Sequence, residues 1–164
     1  MEKQQKEEYY NSVINELNAI LDAESDFILI MSTINAVLKA KFDHFYWVGF
    51  YCVQNQSLIV GPYQGTMGCL HIPFEKGICG RAAREGLSQI VEDVHADPEH
   101  IACDSKTNSE IVVPVYNNFN QLIAVLDVDS TQIAAFCETD RHYLESILNR
   151  HFKEKALTYN LNFS

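Results

Sequence analysis

The chain has 164 residues, 47% of them hydrophobic, which suits one soluble domain able to bury roughly two-thirds of its unfolded surface. Lys and Arg number 12 against 22 Asp and Glu, a formal charge of −10, and the basic residues form no cluster, so no nucleic-acid partner is expected. The start, Met1 to Tyr10, is too polar for a signal peptide, and apolar stretches such as Phe27 to Met31 fall far short of the ~20 residues that span a bilayer; no membrane is expected, and a cytoplasmic, thiol-reducing setting is.

Tyr10, Val13, Leu17, Ile20 and Leu21 recur at helical spacing and predict an amphipathic first helix. Ser25 or Asp26 can cap a second, whose apolar face is Phe27, Ile30, Met31, Ile34, Val37 and Leu38. Together these N-terminal helices cover about 4–41. Residues 45–53 are aromatic and β-branched and predict a strand; a polar turn at 54–57 and a return strand at 58–61 make a hairpin. A further strand is expected at about 69–74, a short helix from Gly77 to Glu85 ending at Gly86, and a brief strand at 88–91. The segment 93–109 is polar without period, a long loop of the kind that carries function. Strands at 111–115 and 122–128 flank the turn 117–120, and a final helix at about 139–156 turns Leu144, Ile147, Leu148 and Phe152 inward. The expected fold class is α+β: one domain over 1–164, with a largely antiparallel central sheet of about six strands, the sheet and loop filling about 45–130, flanked by N- and C-terminal helices.

Five cysteines (52, 69, 79, 103 and 137) in a reducing setting are not a structural disulfide framework. Cys69, Cys79 and Cys103 sit among chemically loaded neighbours, with Glu110, Asp127 and Asp129 following. A thiolate is a nucleophile and a redox centre, and a second thiol can close a disulfide behind it. Thiol redox chemistry on a small polar molecule is the reading. Asp127 and Asp129, two apart on a predicted strand, share a face, and paired carboxyls raise each other's pKa. A carboxyl kept partly neutral can hand a proton to a leaving oxygen. Cys79 opens a predicted helix, where the dipole favours thiolate, and the Gly77–Cys79 turn offers N–H donors to a carboxylate.

One pattern joins these segments: Trp47-Val48-Gly49-Phe50-Tyr51, Gly61-Pro62-Tyr63-Gln64-Gly65, Gly77-Ile78-Cys79-Gly80, His100-Ile101-Ala102-Cys103-Asp104, Ser109-Glu110-Ile111 and Leu126-Asp127-Val128-Asp129-Ser130. From about 45 to 130 the chain resembles the GAF-domain free methionine-(R)-sulfoxide reductases. The resemblance implies a single GAF domain that reduces free methionine-(R)-sulfoxide to methionine with no organic cofactor and no metal. It implies Cys103 as nucleophile, Cys79 as its main resolving partner and Cys69 as an auxiliary thiol. Trp47 and Tyr51 would wall the pocket, while Glu110, Asp127 and Asp129 would bind the ammonium group and polarise the sulfoxide. Thioredoxin would reduce the disulfide, and a homodimer is common in the family.

Plainer readings compete. Cys52 and Cys137 read as packing thiols, Trp47 as equally core or pocket, and Asp127 and Asp129 as an acidic strand end. His95 and His100 beside Cys103 lack metal-ligand spacing. Two other functions compete with the reductase: a stand-alone GAF sensor of a small ligand, which would be expected to accompany an output domain, and a thiol peroxidase, which would need no acidic amino-acid pocket.

Overall fold

The computed structural model describes residues 1–159. The first helix, α1 (Lys3–Leu21), buries Lys6, Tyr10, Val13, Leu17 and Leu21 along one stripe, whereas Ile20, expected inward, is half exposed. Lys6 occupies a core position because it has a partner there: its Nζ lies 2.6 Å from Asp140 Oδ2, and Tyr10 donates to the other oxygen at 2.8 Å. Breaking such a buried pair from one side costs about 3 kcal/mol or more. Asp26, not Ser25, caps α2 (Phe27–Lys41), accepting from the Leu29 N–H at 2.9 Å.

Next come β1 (Trp47–Gln54) and β2 (Ser57–Gln64), joined by Asn55 and Gln56, both at positive φ (51° and 59°). A two-residue turn of that hand matches the twist of the flanking strands. Then follow β3 (His71–Pro73), α3 (Gly77–Glu85), β4 (Gln89–Val91), β5 (Ser109–Tyr116) and β6 (Leu122–Ser130). β2 is longer than the sequence suggests because it keeps pairing with β1 as far as Gln64. The six strands form one sheet in the order β3-β2-β1-β6-β5-β4, every neighbouring pair antiparallel.

Both faces of this sheet are covered, and the period-2 alternation decides which residues go where. Val48 and Phe50 of β1, Ile111, Val113 and Val115 of β5, and Ala124, Leu126 and Val128 of β6 pack in one cluster with the buried stripes of α1, α2 and α4 (Glu138–Leu148). The alternate positions, Trp47 and Tyr51, Val112, and Val125, face α3 and the 93–109 segment. The functional side chains lie on this second face. The expected terminal helix does not continue regularly to 156: after Leu148 it widens into a π turn over Asn149–Lys153. Lys155 then folds back to donate to the Leu21 and Glu24 carbonyls, at and just beyond the end of α1, where no glycine turns the chain.

Candidate active site

β1, β6 and β5 lie side by side, so alternate positions from three strands meet on one face. Trp47 is paired with Asp129, Gly49 with Asp127, and Glu110 with Asp129. Trp47 and Tyr51 stack at 5.7 Å across Gly49, and Trp47 stacks on Tyr63 at 5.2 Å. A Cβ at position 49 would overlap the indole, so the glycine lets the wall close. The Trp47 indole N–H donates to the Thr66 carbonyl at 2.8 Å, fixing the segment after β2.

The opposite wall is the start of α3. Gly77, at φ +73°, turns the chain in, and a Cβ there would sit 3.2 Å from Ile101 Cδ1. No side chain caps this helix, which leaves its first N–H groups free, and Gly77, Ile78 and Cys79 line the cavity. Arg81 holds the start of the long loop through both Asp97 oxygens, at 2.8 and 3.2 Å, and this pairing keeps Asp97 below its ordinary pKa. As the sequence suggests, the loop is irregular apart from one 3-10 turn at Val94–Ala96.

Cys103 lies in this loop and is disulfide-bonded to Cys69, with their Cα atoms 5.4 Å apart. Asp104, the next residue, ties the two cysteine-bearing segments together. Its Oδ2 accepts from Thr66 Oγ1 at 2.6 Å and from the Tyr46 hydroxyl at 2.9 Å, and its Oδ1 accepts from the Lys106 N–H at 2.9 Å. These donors hold its pKa down, Thr66 most.

Trp47, Tyr51, Cys79, Cys103, Glu110, Asp127 and Asp129 therefore line a single cavity, and Cys69 is bonded to its rim. About 40 Å³ is open inside, room for a few waters. Thr66, His100 and Asp104 also line it, and none was singled out as a site residue from sequence. His100 and Asp104 have a local signal, their place in the segment that carries Cys103, whereas Thr66 arrives through the fold.

The floor is acidic without compensation. Glu110 and Asp127 are 5% and 6% exposed, and Asp127 Oδ1 has no hydrogen-bond partner. Burial, reinforced by the neighbouring carboxylates, pushes Glu110, Asp127 and Asp129 all well above the ordinary carboxylate range. His100 Nδ1 is 3.8 Å from Glu110 Oε2, but burial pulls that imidazole below its usual value, so the contact is not an ion pair at neutral pH. Burial also raises Cys79, with Asp127, Glu110 and Asp129 adding to it, and its S–H points to Glu110 Oε1 at 3.9 Å. The helix-start argument for a Cys79 thiolate fails here, because desolvation beside three carboxyls outweighs a dipole worth roughly 1 kcal/mol.

Residues 28–150 match the GAF domain family. The chain is 37% identical over 153 residues to the free methionine-R-sulfoxide reductase of Escherichia coli K12, covering 93% of this chain and 92% of that protein. The free methionine-R-sulfoxide reductase of Neisseria meningitidis, crystallised with its substrate, is 40% identical with a TM-score of 0.82 over 88% of each chain. The reduced form of the Staphylococcus aureus fRMsr is 39% identical with a TM-score of 0.85, covering 90% of this chain and 95% of that one. The chain belongs to the GAF-domain free methionine-(R)-sulfoxide reductase family.

Within that family frame the structure changes one expectation. The bridged partner of Cys103 is Cys69, not Cys79. Cys79 is unbridged, 3% exposed and held on α3. Cys69 sits in the segment that Trp47 and Asp104 pin through Thr66, which is why the two sulfurs meet. Cys52 and Cys137 stand apart from the cavity, Cys52 half-buried with its thiol pushed up to about 11 and Cys137 exposed before α4. No helix among the described residues is long and apolar enough to cross a membrane.

Proposed function

We propose that this chain is an oxidoreductase that reduces free L-methionine-(R)-sulfoxide to L-methionine, with Cys103 as nucleophile and Cys69 as resolving thiol. The observation that carries the reading is a disulfide between those cysteines at the rim of a cavity floored by three carboxyls of raised pKa. A free amino acid brings an ammonium group that such a floor can hold, whereas a peptide-bound residue brings none. Its carboxylate can be taken by the uncapped N–H groups of α3, and its methyl end by Trp47 and Tyr51.

The Cys103 thiolate attacks the sulfoxide sulfur while a protonated carboxyl gives its proton to the departing oxygen. The transient sulfur–sulfur bond breaks with its electron pair returning to the methionine sulfur, and the oxygen passes to Cys103 as a sulfenic acid. Cys69 then attacks the Cys103 sulfur, water leaves, and the disulfide stores the two electrons' worth of oxidation. A dithiol protein of the thioredoxin class, in a reducing cytoplasm, returns the pair to thiols; Cys103 lies at an exposed position where such a partner can reach it. A homodimer is part of the same proposal, and light scattering would give twice the 18.7 kDa of one chain.

The test is NADPH consumption coupled through thioredoxin and its reductase, with free methionine-(R)-sulfoxide, its S epimer and hydrogen peroxide as separate substrates. Turnover of the R epimer alone is the expected result. Turnover of peroxide alone would make the protein a thiol peroxidase, and tight binding of methionine without turnover would make it a sensor.

Cys79→Ser is expected to keep multiple turnovers and to form the Cys69–Cys103 bridge at each one. Its effect falls on KM, by less than about 10-fold, through one altered contact to Glu110. Steady-state kinetics on that variant check this, and a stall after one methionine per chain would restore Cys79 as the resolving thiol.

A further inference from the structure

Of the described cysteines, Cys79 is the buried thiol that a Cys69–Cys103 couple leaves unused. Its Sγ, a Glu110 carboxylate oxygen and an Asp127 carboxylate oxygen lie within 4.8 Å of one another, with Sγ 3.9 Å from Glu110 Oε1. Around a tetrahedral zinc, sulfur at ~2.3 Å and oxygen at ~2.0 Å stand about 3.5 Å apart and two oxygens about 3.3 Å apart, so the sulfur–Glu110 edge needs to close by a few tenths of an ångström and the other two by at most about 1.5 Å. Asp127, 94% buried by its 6% exposure, lines the cavity with an Oδ1 that nothing satisfies. No Lys or Arg lines the cavity to balance these groups. His100 stands 3.8 Å from the second Glu110 oxygen, where its ring can orient the carboxylate for a ligand on the other side. An ammonium group would use the oxygens alone; the sulfur beside them is what favours a thiophilic ion.

We propose that Cys79, Glu110 and Asp127 bind a divalent cation of the zinc class, leaving a fourth position open to the cavity, and that the bound ion shuts out the substrate. The binding half stands without the reductase reading; only the exclusion half rests on it.

The experiment uses the full chain carrying Cys137→Ser, which removes the exposed thiol, in its disulfide form, where Cys69 and Cys103 cannot ligate. Cobalt(II) is the probe, because a tetrahedral site with one thiolate gives intense visible bands and a single sulfur-to-cobalt charge-transfer band. One cobalt per chain with both features, displaced stoichiometrically by zinc, is expected. Cys79→Ser should remove the charge-transfer band, and Asp127→Asn should weaken affinity roughly 10-fold or more, with near-ultraviolet circular dichroism reporting the fold of each. Absence of a saturable band, or bands unchanged by Cys79→Ser, overturns the site. In the reduced chain zinc should then inhibit competitively with sulfoxide, and Cys79→Ser should lose that competition even though Cys69 and Cys103 are then free thiols. Tight cobalt binding without that competition overturns the exclusion half, whereas a chain that binds cobalt but never reduces sulfoxide refutes the reductase reading and leaves the site standing.

Discussion

Cys103→Ser is expected to bring sulfoxide reduction down to background, a loss of roughly 10⁴-fold or more, because no other thiol both lines the cavity and lies at an exposed position. Cys79 lines it too, but burial beside three carboxyls keeps it protonated and so a poor nucleophile. Cys69→Ser has a different signature. Oxygen transfer needs only Cys103, so this variant should release one methionine per chain in a burst and then stop with thioredoxin as reductant. The accumulated sulfenic acid should react with dimedone, and mass spectrometry should place the adduct on Cys103. A small-molecule thiol should restart turnover by resolving the sulfenic acid directly. Full steady-state turnover by Cys69→Ser with thioredoxin would mean that the observed bridge is not the one used in catalysis.

The second large effect concerns the acidic floor. Asp127→Asn is expected to lower kcat/KM by about 10²–10⁴-fold, since an amide cannot supply the proton that lets the sulfoxide oxygen leave. The same substitution should stabilise the fold. Asp127 titrates well above its ordinary value in the folded chain and near ~3.9 when unfolded, so between those pH values the folded state holds a proton that the unfolded state has released. Stability therefore falls as pH rises through that window. Asparagine removes the titration and leaves an N–H able to donate to Glu110, so a gain in stability is expected at pH 8, with a shallower decline as pH rises. Urea unfolding at several pH values measures it. A variant both inactive and less stable at pH 8 would show that Asp127 is ionised and already paired in the native state. Wild-type kcat should fall on the alkaline side, as the carboxyl that donates the proton is lost.

The elements of this fold announce themselves where one face meets the core and the other meets something different. Trp47, Gly49 and Tyr51 alternate with Val48 and Phe50, and Val125, Asp127 and Asp129 alternate with Leu126 and Val128, so the sequence reading could place both aspartates on one face. Lys6 could not be read as a core residue, because the Asp140 that neutralises it lies 134 positions away. The partner of Cys103 was hidden for a similar reason. Two irregular segments are brought together by Asp104, Thr66 and Tyr46, a set of hydrogen bonds with no periodicity to betray it. The helix-start argument overstates the acidity of Cys79 because position at a helix start is visible in sequence while depth beneath three carboxyls is not.

The Cys69–Cys103 bridge joins residues 34 positions apart, spanning all of α3 and β4. Tethering a stretch of that size shrinks the disorder open to the denatured chain by about 4 kcal/mol on the chain-entropy account. Each half-cycle would therefore make the molecule alternately sturdier and more fragile. Its melting temperature should rise by roughly 10 °C on oxidation, a calorimetric gauge of how much reducing power the surroundings hold.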